Sequence, residues 1–469
     1  MDKLKKCFAD IRCWILFFFL IRLIGITQPP LEVAHNWRQT TVTMVARNFL
    51  EVANNPFYPR VDMAGDLTGI TGMEFPVFNY LIYLTSELFG YQHWYGRLIN
   101  LFMSSLGVWF FYRLIRKLFN RQLAYYAGIV LLCSIWLSLS RKIMPGTFAM
   151  SLGIAGCYYG YSWLKESRAY GYLVAYWFFS CLGILSKIPT AFLFALFVFP
   201  MLDQHISLRK KGLFTLASAA VLLPVFAWYQ LWVPHLVREY GFYHFFMGQS
   251  LATGWSELME HIPRTAFRFY DTALKYIGFV ALLIGVYYIV AHKHKRLAMF
   301  SLAGSLAFLP IVIASGDNFA EHTYYVAPFV PIMALVAAYG IANVPKSWMK
   351  YVLVAGVVVE GIAAQQHDIS IKDTHAALLQ LETDLDSFIT HEELIAINAD
   401  EPTTMYFSHR KGWLVKNEEL QQASFVKDLK TRGLKAIVIL KKAFGTPVNL
   451  PYEQVFDNEH YAIYLLSGS

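Results

Sequence analysis

From Trp14 to Ala364 the sequence returns repeatedly to long apolar runs, broken by short basic or Pro/Gly-bearing connections. In lipid every backbone N–H and C=O must be bonded internally, which leaves helices or closed barrels. The runs far exceed the ~10-residue strands of a barrel, so the sequence predicts an all-α polytopic membrane protein. Composition agrees: 15% of residues are charged, against about 25% in soluble proteins. The segment MDKLKKCFADIRCWILFFFLIRLIGI is followed by no small-x-small cleavage signal and reads as an uncleaved first span. Cys7, Cys13, Cys133, Cys157 and Cys181 show no C-x-x-C spacing, which implies neither a disulfide framework nor a zinc site.

Charge sets an expected topology. The basic clusters are Lys3/Lys5/Lys6, Arg113/Arg116/Lys117/Arg121, Lys165/Arg168, Arg209/Lys210/Lys211, Lys293/Lys295/Arg296 and Lys346/Lys350. The positive-inside rule places them all in the cytoplasm. The formal charge of +8 then reflects cytoplasmic loops and does not call for nucleic acid. About eleven spans satisfy every cluster, at roughly 10–27, 95–117, 122–140, 147–164, 170–186, 190–203, 212–233, 272–291, 297–314, 323–343 and 350–366. The segment 75–90 carries Asn79 and Glu87 and would invert five clusters if it crossed, so it is expected at the outer interface without spanning. The expected division is a membrane domain, 1–366, with an outward loop at 28–94, and a small extracytoplasmic α/β domain, 367–469. Within the latter, ELIAINA, AIVIL, YEQVF and YAIYLL read as strands, and HAALLQLETDLDSFI and ELQQASFVKDLKTRG as helices. The N-terminus is expected in the cytoplasm of a cell with this chain in its inner (plasma) membrane.

Polar groups gather in the first outward loop: His35, Trp37, Arg38, Gln39, Arg60, Asp62 and Glu74. Polar loops are ordinary, but a carboxylate ahead of a proline at a partly dry interface is a candidate general base. WRQTTVTMVARNFLEVA reads as a moderately amphipathic helix with Val42, Val45, Phe49 and Val52 at helical spacing. Arg141, Lys142 and Lys187 fall on expected outward connections, with His322 beside Tyr324 and Tyr325. Each cation alone reads equally as an anchor at the membrane edge; together they suit one phosphate. Arg22 and Arg97 read as interfacial anchors, and Glu360 as a partner for a neighbouring helix. No P-loop, G-x-G-x-x-G or H-E-x-x-H motif occurs.

These residues resemble the membrane-embedded glycosyltransferases of the GT-C fold, including the protein O-mannosyltransferases and the aminoarabinose–lipid A transferases. MEFP at 73–76 is similar to their E-[KF]-P motif, and HNWRQ…ARNF at 35–49 to a first-loop pattern of a bacterial branch. SRKIMP, SKIPTA and HTYYVAPFVP resemble further elements in the same order, over roughly 1–345. The resemblance implies sugar transfer from a polyprenyl-phosphate carrier to a lipid, glycan or protein acceptor on the extracytoplasmic face. It implies a loop acid as base or as ligand to a divalent metal ion, and no other cofactor. On this reading Glu74, His35 and Asp62 are the catalytic candidates. Arg141, Lys142, Lys187, His322 and Tyr325 would bind the donor phosphate, and Trp37, Arg38, Gln39 and Arg60 the substrate. Two positions depart from the pattern, because Thr41 and Gly146 stand where the family carries acids. Altered mechanism, altered acceptor and an inactive relative stay open, as does a transporter or flippase using the same cations.

Overall fold

The computed structural model describes residues 8–166, 169–244 and 248–466. Lys3, Lys5, Lys6, Cys7 and Arg168 of the sequence reading lie outside these, as do Phe245–Met247. Cys13 is disulfide-bonded, where the sequence implied no disulfide; Cys133, Cys157 and Cys181 are free buried thiols. The chain forms two compact units.

The first unit comprises Met1–Ile26, Arg97–Tyr229 and Phe246–Gln366. Among the described residues of the chain, five helices are long and apolar enough to cross a membrane: Tyr95–Leu118, Leu208–Tyr240, Lys295–Ser315, Thr323–Asn343 and Ser347–Ile369. A sixth arises if Ile262–Ala273 and Lys275–Ala291, bent by 97°, count as one span. Several other expected spans coincide with short helices, such as Ile11–Arg22, Arg121–Cys133 and Tyr170–Ser186. Glu360 sits opposite the bend and accepts from the backbone N–H groups of Tyr276 (3.2 Å) and Ile277 (2.8 Å). It thereby caps an otherwise orphaned helix start within an apolar environment.

Small residues let these helices approach, as is usual where lipid removes the hydrophobic drive between them. A Cβ on Gly340 would collide with the Ala281 carbonyl, and one on Gly285 with that of Val336. Pro145–Lys165 packs on Tyr170–Ser186 in the same way, with Gly156 against Ser180 and Gly183 against Ala149. At one end of the unit, basic side chains collect around Tyr158–Trp163: Arg113 lies 4.8 Å from the Tyr158 ring centre, Lys117 donates to Ser162 (2.9 Å) and Lys210 to the Trp163 carbonyl (2.9 Å).

The second unit comprises Thr27–Gly96, Gln230–Phe245 and His367–Ser469. The first loop thus groups with the C-terminal segment. That segment holds a five-stranded sheet of β1 (Leu394–Ile397), β2 (Gly412–Leu414), β3 (Leu434–Leu440), β4 (Glu453–Asp457) and β5 (Tyr461–Leu465), in the order β2–β1–β3–β5–β4. β1 runs parallel to β2 and β3; β5 runs antiparallel to β3 and β4. The first loop is sewn to the β2 edge: Gly412 donates to the Asp62 carbonyl (2.9 Å), and Gly65 donates to the Gly412 carbonyl (2.7 Å). Only glycine suits position 65, where φ is +61° and a Cβ would enter the Trp413 ring.

The loop helix Asn36–Glu51 is more buried than its pattern suggests: every residue from Arg38 to Phe49 is buried, whereas Val52, expected on its apolar stripe, is exposed. Val77–Phe89 packs on it through Asn79, whose amide donates to the Val42 carbonyl (2.9 Å), and through Tyr80 and Tyr83 against Phe49. This helix has 13 residues, about 20 Å of length, too short for a ~30 Å hydrocarbon core. Leu81, Leu84, Leu88 and Phe89 are exposed along it, the one-sided apolar face expected of an interfacial helix.

Replacing Gly340 or Gly285 with Val is expected to overpack the helix contact and cost about 1–3 kcal/mol, read as a lower melting temperature in detergent. Gly171→Ala, where a Cβ meets nothing within 4 Å, is expected to leave that temperature unchanged or slightly raised.

Candidate active site

The loop helix begins under strain. Ala34 and His35 both take left-handed backbone conformations (φ 63° each), and His35 is the N-cap. Consecutive non-glycine residues in this region are uncommon and are held there only by surrounding structure. The turn sets the direction of the helix and thereby presents Arg38, one turn further on.

Arg38 forms a buried ion pair with Glu74, whose exposure is 3%. Glu74 lies two residues ahead of the helix cap Pro76. A parallel bridge between Gly72 and Tyr243 brings the next residue, His244, alongside. Burial, reinforced by Arg38 and opposed by Glu74, pushes the His244 imidazole down to about 4. His244 is therefore neutral at physiological pH and can accept or donate a hydrogen bond. Sequence reasoning did not single it out; the available signal was a histidine in an aromatic outward segment.

Asp62 belongs to a separate buried cluster. It accepts from Arg47 (2.9 Å) and from the Asn48 amide (2.7 Å). Arg47 also donates to the Tyr406 carbonyl (3.1 Å) and lies 4.6 Å from the Tyr406 ring centre. Burial opposes the Arg47 charge, but Asp62, followed by Tyr91 and Tyr406, more than compensates and raises it. Arg38 and Arg47 are nine residues apart, so the two acids hang from points about 14 Å apart along the helix. They do not form one carboxylate pair, and Asp62 serves the scaffold.

The other loop candidates lie around these clusters. Trp37 is half-buried and Gln39 fully buried in the helix. Arg60 is half-buried on the strand-like stretch that bridges Ile70. Thr41, at a position where the resemblance implies an acid, is buried and donates to the Trp37 carbonyl (2.8 Å). Gly146, at the other, faces open space.

In the first unit the expected phosphate ligands differ in setting. Arg141 is 3% exposed and caps the end of the first helix, donating to the Arg22 carbonyl (3.3 Å) and the Ile24 carbonyl (2.9 Å). Lys142 is fully buried, with its carbonyl held by Asn100 (2.8 Å). Arg22 and Arg97, expected as anchors, are buried in the protein; Arg22 donates to Ser140 and Ser105. Lys187 is half-buried at the break between Tyr170–Ser186 and Ile188–Phe197. His322, Tyr324 and Tyr325 form a half-buried ring stack, with Tyr324 and Tyr325 centred 4.8 Å apart. Burial holds the His322 imidazole below its usual range, with Glu321 opposing and Arg268 adding to the effect. Neutral His322 and Tyr325 can donate hydrogen bonds to a phosphate, whereas lysine supplies charge.

The loop acids fit a divalent metal poorly. Glu74 and Asp62 each already carry a guanidinium, and a metal placed there would face that charge at close range.

Asp62→Asn strands a buried guanidinium and is expected to cost about 3–5 kcal/mol. Asp66→Asn, which removes only the exposed pair with Arg432, is expected to cost at most about 1 kcal/mol. Thermal melts of both variants check this. Unfolded histidine takes up a proton near pH 6.5 but folded His244 only near 4. His244 thus lowers stability as pH falls through that window, and His244→Gln is expected to flatten the loss.

A family model described as dolichyl-phosphate-mannose-protein mannosyltransferase matches residues 74–232. No curated protein matches the sequence. Among solved structures, the chain is similar to ArnT from Cupriavidus metallidurans bound to undecaprenyl phosphate: TM-score 0.59, 12% identity, 96% of this chain and 98% of that one covered. The apo state of ArnT matches with TM-score 0.62 at 12% identity, over 96% and 97% of the two chains. The archaeal oligosaccharyltransferase AglB from Archaeoglobus fulgidus, in complex with an inhibitory peptide and a dolichol-phosphate, matches with TM-score 0.50 at 11% identity, over 91% and 69%. Helices of membrane-spanning length, a first loop carrying a buried acid, and a C-terminal α/β sheet together give this chain the fold of the GT-C membrane glycosyltransferases.

Proposed function

We propose that this protein transfers a sugar, hexose or pentose, from a polyprenyl-phosphate carrier to an envelope lipid, glycan or protein. It would do so in the inner membrane, with its N-terminus cytoplasmic and the C-terminal domain extracytoplasmic. The observation that carries this reading is the buried Arg38–Glu74 pair beside neutral His244, in a chain whose fold matches a carrier-bound structure over nearly its whole length.

The reaction is a displacement at the anomeric carbon. The acceptor oxygen forms a bond to that carbon, and the bond from carbon to the phosphate oxygen breaks. The electron pair leaves with the phosphate, and a single displacement inverts the sugar. The acceptor proton passes to Glu74, which Arg38 orients; His244 lines the same position as a neutral hydrogen-bonding group, and His35 fixes the start of the helix. The leaving phosphate is already acidic, so it needs charge neutralisation more than a proton. Lys187 supplies that charge, with hydrogen bonds from His322 and Tyr325. Arg141 holds the carbonyls that end the first helix, and Lys142 stays a second candidate for the phosphate charge. Trp37, Gln39 and Arg60 line the loop on the substrate side. No step passes through a metal.

A second reading rests on Thr41 and Gly146. With a back-bonded hydroxyl at one position and open space at the other, the chain would bind the carrier without turning it over.

Transfer from a labelled polyprenyl-phosphate sugar into envelope fractions tests both. Glu74→Gln, at equal membrane levels, is expected to lower transfer by about 10²- to 10⁴-fold, and Lys187→Met to lower it with weaker carrier binding. Transfer unaffected by Glu74→Gln would remove Glu74 as the base. Carrier binding with no transfer in the natural protein would select the second reading.

A further inference from the structure

A second cluster of chemically capable side chains lies in the C-terminal part of the second unit, and the reaction above makes no use of it. Glu382, His391 and His409 present ligand atoms that all lie within 4.8 Å of one another. His409 Nδ1 faces Glu382 Oε1 at 2.6 Å, and its Nε2 faces Glu51 Oε2 at 2.9 Å. The His391 and His409 rings are centred 4.9 Å apart at 70°. We propose that Glu382, His391 and His409 Nδ1 bind a zinc-class divalent cation, with Glu51 accepting the Nε2 proton of His409 from behind.

Two imidazoles and a carboxylate are the donor set of borderline metals such as zinc. Metal–nitrogen distances of about 2.0–2.1 Å put neighbouring ligands about 3.4 Å apart, within side-chain rotation of the present spacing. The Glu51–His409 contact is the carboxylate–histidine arrangement that fixes which ring nitrogen faces a metal and raises its basicity. Solvent reaches the cluster, since the three side chains are partly exposed, which leaves a coordination position for water.

The frame around the cluster is rigid. His409 holds a left-handed conformation (φ 49°), and strain at a non-glycine residue persists only where neighbours impose it. Arg410, fully buried, imposes it by donating to the carbonyls of Ser408 (2.9 Å), Ile389 (3.0 Å) and Thr390 (3.2 Å) and pairing with Asp386. It thereby ties the backbone just before His391 to that beside His409. The cation would take the place of the Nδ1 proton between His409 and Glu382, and Arg47 is the nearby positive charge that opposes it. Because Glu51 ends the first-loop helix, the metal would clip that helix to the C-terminal segment.

The test uses the full chain in detergent, its affinity tag removed, stripped with chelator and reloaded with zinc or cobalt. One zinc per chain by elemental analysis, visible ligand-field bands with cobalt, and a zinc-dependent rise in melting temperature are expected. His391→Ala, at a mostly exposed side chain, is expected to lose the bands and the melting shift while the metal-free protein melts as before. Glu51→Gln is expected to weaken zinc binding by about 10- to 100-fold. Cobalt bands or zinc content unchanged in His391→Ala, or no zinc retained by the natural protein, would overturn the proposal.

Discussion

The second unit depends on making a polar helix fit for burial. Asn36–Glu51 carries two arginines and a run of threonines and amides into the interior. A buried guanidinium without compensation would cost several kcal/mol. Glu74 and Asp62 compensate Arg38 and Arg47, and the threonines return their hydroxyls to the helix's own carbonyls, Thr40 to Asn36 (2.9 Å) and Thr43 to Gln39 (2.8 Å). Everything else in the loop is arranged around these two pairs. The turn-rich stretch after the helix runs back to deliver Asp62, and the bridge to Tyr243 holds the segment that delivers Glu74. Replacing both members of a pair with apolar groups would be energetically tolerable, whereas removing one member would not.

The same accounting separates the two roles that acids and bases play here. Asp62 accepts from Arg47 and Asn48, and Arg47 in turn donates to the Tyr406 carbonyl, a network whose members satisfy one another. Glu74 has a titratable neighbour, His244, which burial and Arg38 keep neutral against the opposing pull of Glu74. Arg141 and Lys187 divide similarly. One caps backbone carbonyls where a helix ends, the other stands half-buried at a helix break. Proximity to the outer end of a span did not distinguish them; the direction in which the guanidinium finds acceptors did.

What was legible in the sequence follows from what determines each feature. The apolar runs and the strands β1, β3, β4 and β5 are local patterns of hydrophobicity, and they were readable. The shortness of Val77–Phe89 was readable from the length of its apolar run. β2 is three residues long and rests on Gly412, whose lack of a side chain admits the Ile395 carbonyl, so no pattern announces it. Pro402–Ser408 begins with proline and two threonines, which carry weak helical preference, and its burial against the loop makes it a helix. The expected helix at HAALLQLETDLDSFI divides into Asp373–Ala376, a 3₁₀ turn and Leu381–Asp386. Glu74 was visible as a motif, but its partners Arg38 and His244 lie far along the chain on either side, and only the fold brings them together.

The second unit is assembled from three stretches of chain separated by membrane helices. A ribosome delivers residues 27–96 long before residues 367–469. Until the last stretch emerges, Arg47 lacks the Tyr406 carbonyl, the loop lacks the Gly412 edge, and a polar helix is present without its interior. Contacts of such high sequence separation form late and slowly, and domains built this way expose sticky intermediates while they wait. Biogenesis is therefore the stage at which the chain is most vulnerable. A truncation within the final hundred residues would leave the membrane helices intact and the first loop unfinished.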